Sequence, residues 1–198
     1  MEIAIIKYNA GNVASVMYAL DRIGQKYQWT DDEEQIKNAD KVIFPGVGEA
    51  STAMAYLKER NLDQLIVSLK QPVLGICLGM QLMCRHSAEN DTNCLGIFDE
   101  QVLAFKATEK TTKVPQMGWN NIRNLKTDLF NGVAENSFAY FVHGFYAGLG
   151  ANTIATTDYI QEYSSGLHKN NFYGVQFHPE KSAELGEQII QNFLALKS

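Results

Sequence analysis

The sequence predicts an α/β fold: a mostly parallel central sheet flanked by helices, with an additional β-rich C-terminal half. Three observations carry this. Short apolar runs of the kind that fill fully buried strands occur near the start, at Lys41–Phe44 and at residues 72–76. Each is followed by a stretch with helical spacing of apolar residues. From about Gly96 onward the texture changes to closely spaced β-like runs.

Taken in order, residues 2–7 form the first strand. Val13, Val16, Met17, Leu20 and Ile23 then recur at helical spacing, with Asn12 able to cap the helix and Gly24 able to end it. The second run, Lys41–Phe44, is broken at once by Pro45, Gly46, Val47 and Gly48, before a helix over residues 51–60. Residues 72–76 repeat the pattern, with a helix through Gln81 and Met83. Parallel sheets of this kind place active sites at the carboxyl ends of their strands, where both glycine-bearing turns fall. Later runs at 138–146, 153–157 and 172–176 read as strands, and residues 183–196 as an amphipathic closing helix. No repeat or linker interrupts the 198 residues, so one domain spanning residues 1–198 is expected.

The composition narrows the function classes. At 45% hydrophobic and 20% charged, the chain is an ordinary globular sequence. Its 17 Lys plus Arg against 22 Asp plus Glu give a net charge of −5, with no basic run to neutralise a phosphate backbone, so nucleic acid is not an expected partner. The N-terminal apolar run is too short for a signal peptide and no stretch is long enough to span a membrane, which points to the cytoplasm. The three cysteines, Cys77, Cys84 and Cys94, lack the paired spacing of a zinc site, and neither a metal nor a cofactor is expected. Cys84 and Cys94 read as small buried hydrophobes.

Cys77 stands apart. Gly75-Ile76-Cys77-Leu78-Gly79 follows a strand and opens a helix, the cysteine form of a G-x-S-x-G nucleophile elbow. Such a turn exposes the sulfur above the sheet, and N–H groups at the helix start attract its anion. The Leu78 N–H is placed to stabilise an oxyanion. A base and its orienting group are supplied by Gln176-Phe177-His178-Pro179-Glu180, because residues two apart in an extended segment point to one side. His178 would take the thiol proton and Glu180 would hold the imidazole. His143, in the apolar run Tyr140-Phe141-Val142-His143, is the rival base but has no carboxylate nearby in sequence. It reads either as lining a substrate site or as a core histidine, and His86 and His168 as surface residues.

The segments 45–48, 75–82 (G-I-C-L-G-M-Q-L) and 176–182 (Q-F-H-P-E-K-S) together resemble the class I glutamine amidotransferases, which have a flavodoxin-like core. With Tyr8-Asn9-Ala10-Gly11-Asn12, residues 113–120 (K-V-P-Q-M-G-W-N) and Tyr140 to His143, the resemblance covers the whole chain. It narrows to the glutaminase subunits of imidazole glycerol phosphate synthases. It implies that Cys77 attacks the side-chain amide of glutamine, that His178 passes the proton to departing ammonia, and that Glu180 orients His178. It implies further that Leu78, Val47 and Gly48 supply oxyanion N–H groups, and that Gly48, Gln81, Glu89, His143, Gly144 and Phe145 hold glutamine, Glu89 facing its ammonium. Asn12, Trp119, Asn120 and Lys181 match the surface for a partner, a cyclase subunit built as a (β/α)8 barrel. Trp119 in ordinary core packing is the competing reading.

The chain departs from that pattern at three places. The family more often has His where Gln116 stands, and a hydroxyl residue followed by Tyr where Gly144 and Phe145 stand. Backbone contacts to glutamine survive those changes. Glutaminase elements run from the first strand to the last helix, so the ammonia-consuming step is expected on the partner. A sister amidotransferase subunit serving a sugar-modifying enzyme, a free-standing cysteine γ-glutamyl hydrolase and a catalytically silent regulatory subunit are the alternatives. The silent subunit is disfavoured by the intact Cys77, His178 and Glu180.

Overall fold

The computed structural model describes residues 1–9, 13–107 and 113–197. Its strands are β1 (Ile3–Ile6), β2 (Tyr27–Thr30), β3 (Lys41–Phe44), β4 (Val73–Ile76), β5 (His86–Ser87), β6 (Thr92–Asn93) and β7 (Gln101–Ala104). They continue with β8 (Gln116–Asn121), β9 (Phe138–His143), β10 (Phe145–Ala147), β11 (Thr153–Asp158), β12 (Glu162–Lys169) and β13 (Phe172–Val175). The helices are α1 (Ala14–Arg22), α2 (Glu33–Asn38), α3 (Ala50–Glu59), α4 (Leu62–Ser68), α5 (Leu78–Met83) and α6 (Ala183–Ala195).

Strands β2, β1, β3, β4 and β13 lie side by side and all run parallel. Beyond β13 the sheet continues through β12, β10 and β7, each pairing antiparallel, so the expected parallel core and β-rich second half share one mixed sheet. Strands β8 and β9 form a separate two-stranded antiparallel hairpin.

The period-two alternation of the strands explains why helices cover both faces. Ala4, Ile6, Val42, Phe44 and Val73 face one core with Ile36 of α2, Met54 and Leu57 of α3, and Leu65 and Ile66 of α4. Their sequence neighbours Ile3, Ile5, Ile43, Leu74 and Ile76 face the other, against Val16 and Leu20 of α1 and Ile189, Ile190 and Phe193 of α6. Every residue of β1, β3 and β4 is buried, as a strand covered on both sides requires.

Gly24 ends α1 as expected, with φ of +70° and with the Gln25 N–H donating back to Leu20 O at 3.0 Å. The proposed cap Asn12 lies outside the described residues. Gly79 has a firmer role: a Cβ there would sit 1.9 Å from Phe44 O, so only glycine lets α5 cross so close to the end of β3.

Candidate active site

Three adjacent parallel strands, β3, β4 and β13, end at one place and deliver the candidate residues. Cys77 immediately follows β4 with φ 52° and ψ −108°, a left-handed conformation that a non-glycine residue holds at a cost of about 1–3 kcal/mol. Its N–H donates to Val175 O of β13 at 2.8 Å, and its carbonyl accepts from Gln81 N at 3.1 Å. Strand and helix thus hold the elbow from both sides. The side chain is buried but faces a cleft of about 270 Å³.

His178 and Glu180 come from the chain leaving β13. The sequence-based expectation of an extended segment is corrected in one respect: Pro179–Lys181 form a 3-10 turn, and the turn brings the two side chains together. His178 Nδ1 and Glu180 Oε1 lie 2.7 Å apart, and both side chains are buried. The turn is held against α6 by Gly186, where a Cβ would lie 1.7 Å from Pro179 O. Its other side is tied to the hairpin: His178 N donates to Tyr140 O at 2.8 Å, Tyr140 N to Ser182 Oγ at 2.9 Å, and Ser182 Oγ to His178 O at 2.7 Å.

Burial alone would lower the basicity of His178. The neighbouring Cys77 and the Glu180 carboxylate outweigh it and hold the imidazole above the ordinary histidine range, favouring its cation. Among the described residues its Nε2 is buried without a partner of normal hydrogen-bond geometry. That nitrogen is the one left free to exchange a proton, since Nδ1 is committed to Glu180.

The rival base behaves differently. His143 Nδ1 lies 2.7 Å from Phe145 O and its Nε2 lies 3.2 Å from the Tyr163 hydroxyl. Burial, assisted by the nearby His178 and opposed by the Phe145 hydrogen bond, lowers its pKa to about 4, so it is neutral near pH 7. With no carboxylate partner among the described residues, it is both a core histidine and part of the cleft wall. Gln116 sits behind it, its Oε1 accepting from Tyr163 Oη at 3.0 Å.

The cleft is lined by Val47, Gly48, Leu78, Gln81, Glu89, Gly144 and Phe145 around Cys77 and His143. Glu89 accepts from Ala50 N at 2.8 Å, and burial, with the Glu49 charge, raises its pKa against that hydrogen bond. Pro115 and Val142 also line the cleft and were not singled out from the sequence; their apolar side chains carry no chemical signal. Gln176, next to the cysteine sulfur, was likewise missed.

The expected free Leu78 N–H is not found in this conformation: it donates to Gly46 O at 3.2 Å. Across a trans peptide the C=O and N–H point in opposite directions, so the Val47 N–H is turned away from Leu78. Gly48, with φ of +123°, continues this loop.

The residues of the expected partner surface divide. Trp119 is 54% exposed, so it is not core; its ring meets Tyr140 edge-on at 5.9 Å across the hairpin. Met117 and Phe138 are exposed on the same hairpin. Lys181 is exposed beside the His178 turn, Asn120 is half-buried with Nδ2 donating to Asp158 O at 2.9 Å, and Asn12 lies outside the described residues. Cys84 is buried and Cys94 half-buried, both as free thiols. His86 and His168 are half-buried rather than open surface, against Asp91 and stacked on Tyr173 respectively.

Residues 6–196 match the family model described as glutamine amidotransferase class-I. An imidazole glycerol phosphate synthase subunit HisH from Bacteroides fragilis (strain YCH46) is 58% identical over 196 residues, covering 99% of this chain and 100% of the relative. The subunit of the same name from Bacteroides thetaiotaomicron is 55% identical over the same coverage. Among solved structures, one described as a glutamine amidotransferase superimposes with a TM-score of 0.73 at 15% identity, covering 97% of this chain and 96% of that one, a likeness of fold. A cysteine elbow beside a buried histidine–glutamate pair, on a matched sequence spanning nearly its whole length, places this chain in the class I glutamine amidotransferase family.

Proposed function

We propose that this chain is the glutaminase subunit of an imidazole glycerol phosphate synthase, acting through Cys77, His178 and Glu180 as one glutamine amidotransferase domain. The Cys77 thiol passes its proton to His178 and the sulfur attacks the side-chain carbonyl carbon of glutamine. The carbon–nitrogen bond breaks as His178 returns the proton to the departing nitrogen, giving ammonia and a glutamyl thioester. Water, deprotonated by His178, then cleaves the thioester to glutamate and the free cysteine. Glutamine sits against Gly48, Gln81, His143, Gly144 and Phe145, with its ammonium on Glu89.

The oxyanion is held by N–H groups of Leu78 and of the Val47–Gly48 loop. Because Leu78 N–H is engaged by Gly46 O, rotation of the Gly46–Val47 peptide is needed to free it. The same rotation turns the Val47 N–H inward, so one movement supplies both donors. This supports low activity in isolation and activation by a partner.

The partner is a (β/α)8-barrel cyclase meeting the exposed Trp119 hairpin and Lys181. It joins the ammonia to a phosphoribulosyl intermediate, yielding imidazole glycerol phosphate and an aminoimidazole carboxamide ribonucleotide in histidine biosynthesis. A cytoplasmic setting accords with the described residues, in which no helix is long and apolar enough to cross a membrane.

The observation that carries the proposal is the buried 2.7 Å contact between His178 and Glu180 beside the Cys77 elbow. Its test is glutamine hydrolysis measured with and without the cyclase, and with and without the cyclase's nucleotide ligand. Hydrolysis should rise with both present; full activity of the isolated chain would instead indicate a free-standing hydrolase.

A further inference from the structure

Gln176 follows β13 directly and is fully buried. Its Nε2 donates to Cys77 Sγ at 3.6 Å, and its Oε1 accepts from Gln81 Nε2 at 2.9 Å. The second Gln81 N–H goes to Phe145 O, also at 2.9 Å. That backbone carbonyl can only accept, so Gln81 must turn its NH2 toward it. The remaining Gln81 N–H then needs an acceptor, which the oxygen of Gln176 provides among the described residues. The nitrogen of Gln176 is thereby forced toward the sulfur; the reversed amide would set two donors face to face and an oxygen against the sulfur.

Besides the His178 imidazole, which charges as the thiol gives up its proton, the sulfur's other close polar neighbour is Val142 O, at 3.8 Å. A thiol can donate there, whereas a thiolate meets only the carbonyl's lone pairs. With Leu78 N–H engaged by Gly46 O, Gln176 is the neutral donor that the described hydrogen bonds give the sulfur. We propose that Gln176 is a further catalytic residue, stabilising the Cys77 thiolate through its side-chain N–H, with Gln81 fixing the direction of that donor. This rests on Cys77 being the nucleophile. Gln176 does not line the cleft, but its oxygen holds Gln81, which does, so a substitution that keeps that acceptor, Gln176→Glu, is the one that should act on the chemical step rather than on glutamine affinity.

The test uses the full chain. Iodoacetamide labelling of Cys77, followed by mass spectrometry across pH, reports thiolate reactivity, and glutamine hydrolysis in the presence of the cyclase reports turnover. In Gln176→Met the pH–rate profile of labelling should move about one unit to the alkaline side. Its kcat at neutral pH should fall about tenfold. Gln176→Glu keeps the acceptor for Gln81 and places a carboxylate by the sulfur, so its profile should move further. In the wild-type chain, the selectively labelled side-chain amide nitrogen of Gln176 should shift with pH in step with Cys77 reactivity. This arm needs no variant to fold. An unmoved labelling profile, a raised KM with kcat retained, or a Gln176 amide indifferent to Cys77 ionisation would overturn the proposal. If labelled Cys77 still supported glutamine hydrolysis, the nucleophile reading itself would fail. If labelling stopped hydrolysis while every Gln176 arm stayed flat, only the role of Gln176 would fall.

Discussion

His178 Nδ1 lies 2.7 Å from Glu180 Oε1 with both side chains buried, so the imidazole has one nitrogen held and one free. In the proposed mechanism, removing the histidine takes away the base and the acid together, whereas replacing the glutamate leaves a hydrogen-bonding side chain in its place. His178→Ala is expected to lower kcat by about a thousandfold or more. Glu180→Gln should be about tenfold to hundredfold less severe. Steady-state glutamine hydrolysis in the complex decides this, and equal or reversed losses would count against the assigned roles.

How much of this was legible in advance depended on range. The Cys77 elbow could be read because its signature is contiguous, Gly75 to Gly79 between a strand and a helix, although what forbids a Cβ on Gly79 is the distant Phe44 O. The His178–Glu180 pairing was legible from spacing, but its geometry was not, because Pro179 opens a 3-10 turn rather than continuing the strand. Strand β2 escaped notice since Tyr27, Gln28 and Trp29 sit at the sheet edge and show no buried run. The insertion of β13 beside β4 joins residues about a hundred positions apart, and no local pattern encodes that pairing. Gln176 was missed for the same reason: its partners, Cys77 and Gln81, meet it only once that pairing exists.

His143 should make the fold sensitive to acid. Its pKa is depressed from 6.5 to about 4, so the unfolded chain binds more protons between those values. Its contribution is therefore present above pH 6.5 and is lost as pH falls toward 4, on the order of 3 kcal/mol between the plateaus. Urea unfolding of wild type and His143→Gln at pH 7, 5.5 and 4.5 should show a shallower pH dependence in the variant. Parallel curves would show that His143 does not titrate in this window.

Trp119 should matter to assembly and not to folding, because its ring is 54% exposed on a hairpin outside the main sheet. In Trp119→Ala the melting temperature should stay within about 2 °C of wild type. The Kd for the cyclase should rise roughly thirtyfold, the effect of losing an aromatic anchor of about 2 kcal/mol. Calorimetric titration with the cyclase, alongside thermal melts, separates these. A large drop in melting temperature with unaltered affinity would return Trp119 to a structural role.

The division of labour between two subunits makes the strongest demand. Cys77→Ser should remove glutamine-driven turnover, while Cys84→Ala and Cys94→Ala, which lie away from the cleft, should retain it. On the proposed function the step that consumes ammonia belongs to the partner, so the Cys77→Ser complex should still convert the phosphoribulosyl substrate when ammonium salt replaces glutamine. Only unprotonated ammonia carries the lone pair that attacks carbon, so that turnover should climb with pH, about tenfold per unit well below the ammonium pKa, until the cyclase itself fails. A free-standing hydrolase makes no such demand. Substrate loss followed with glutamine or ammonium at several pH values tests it. If ammonium drives nothing in a Cys77→Ser complex whose wild-type counterpart is active with glutamine, the two-site reading fails.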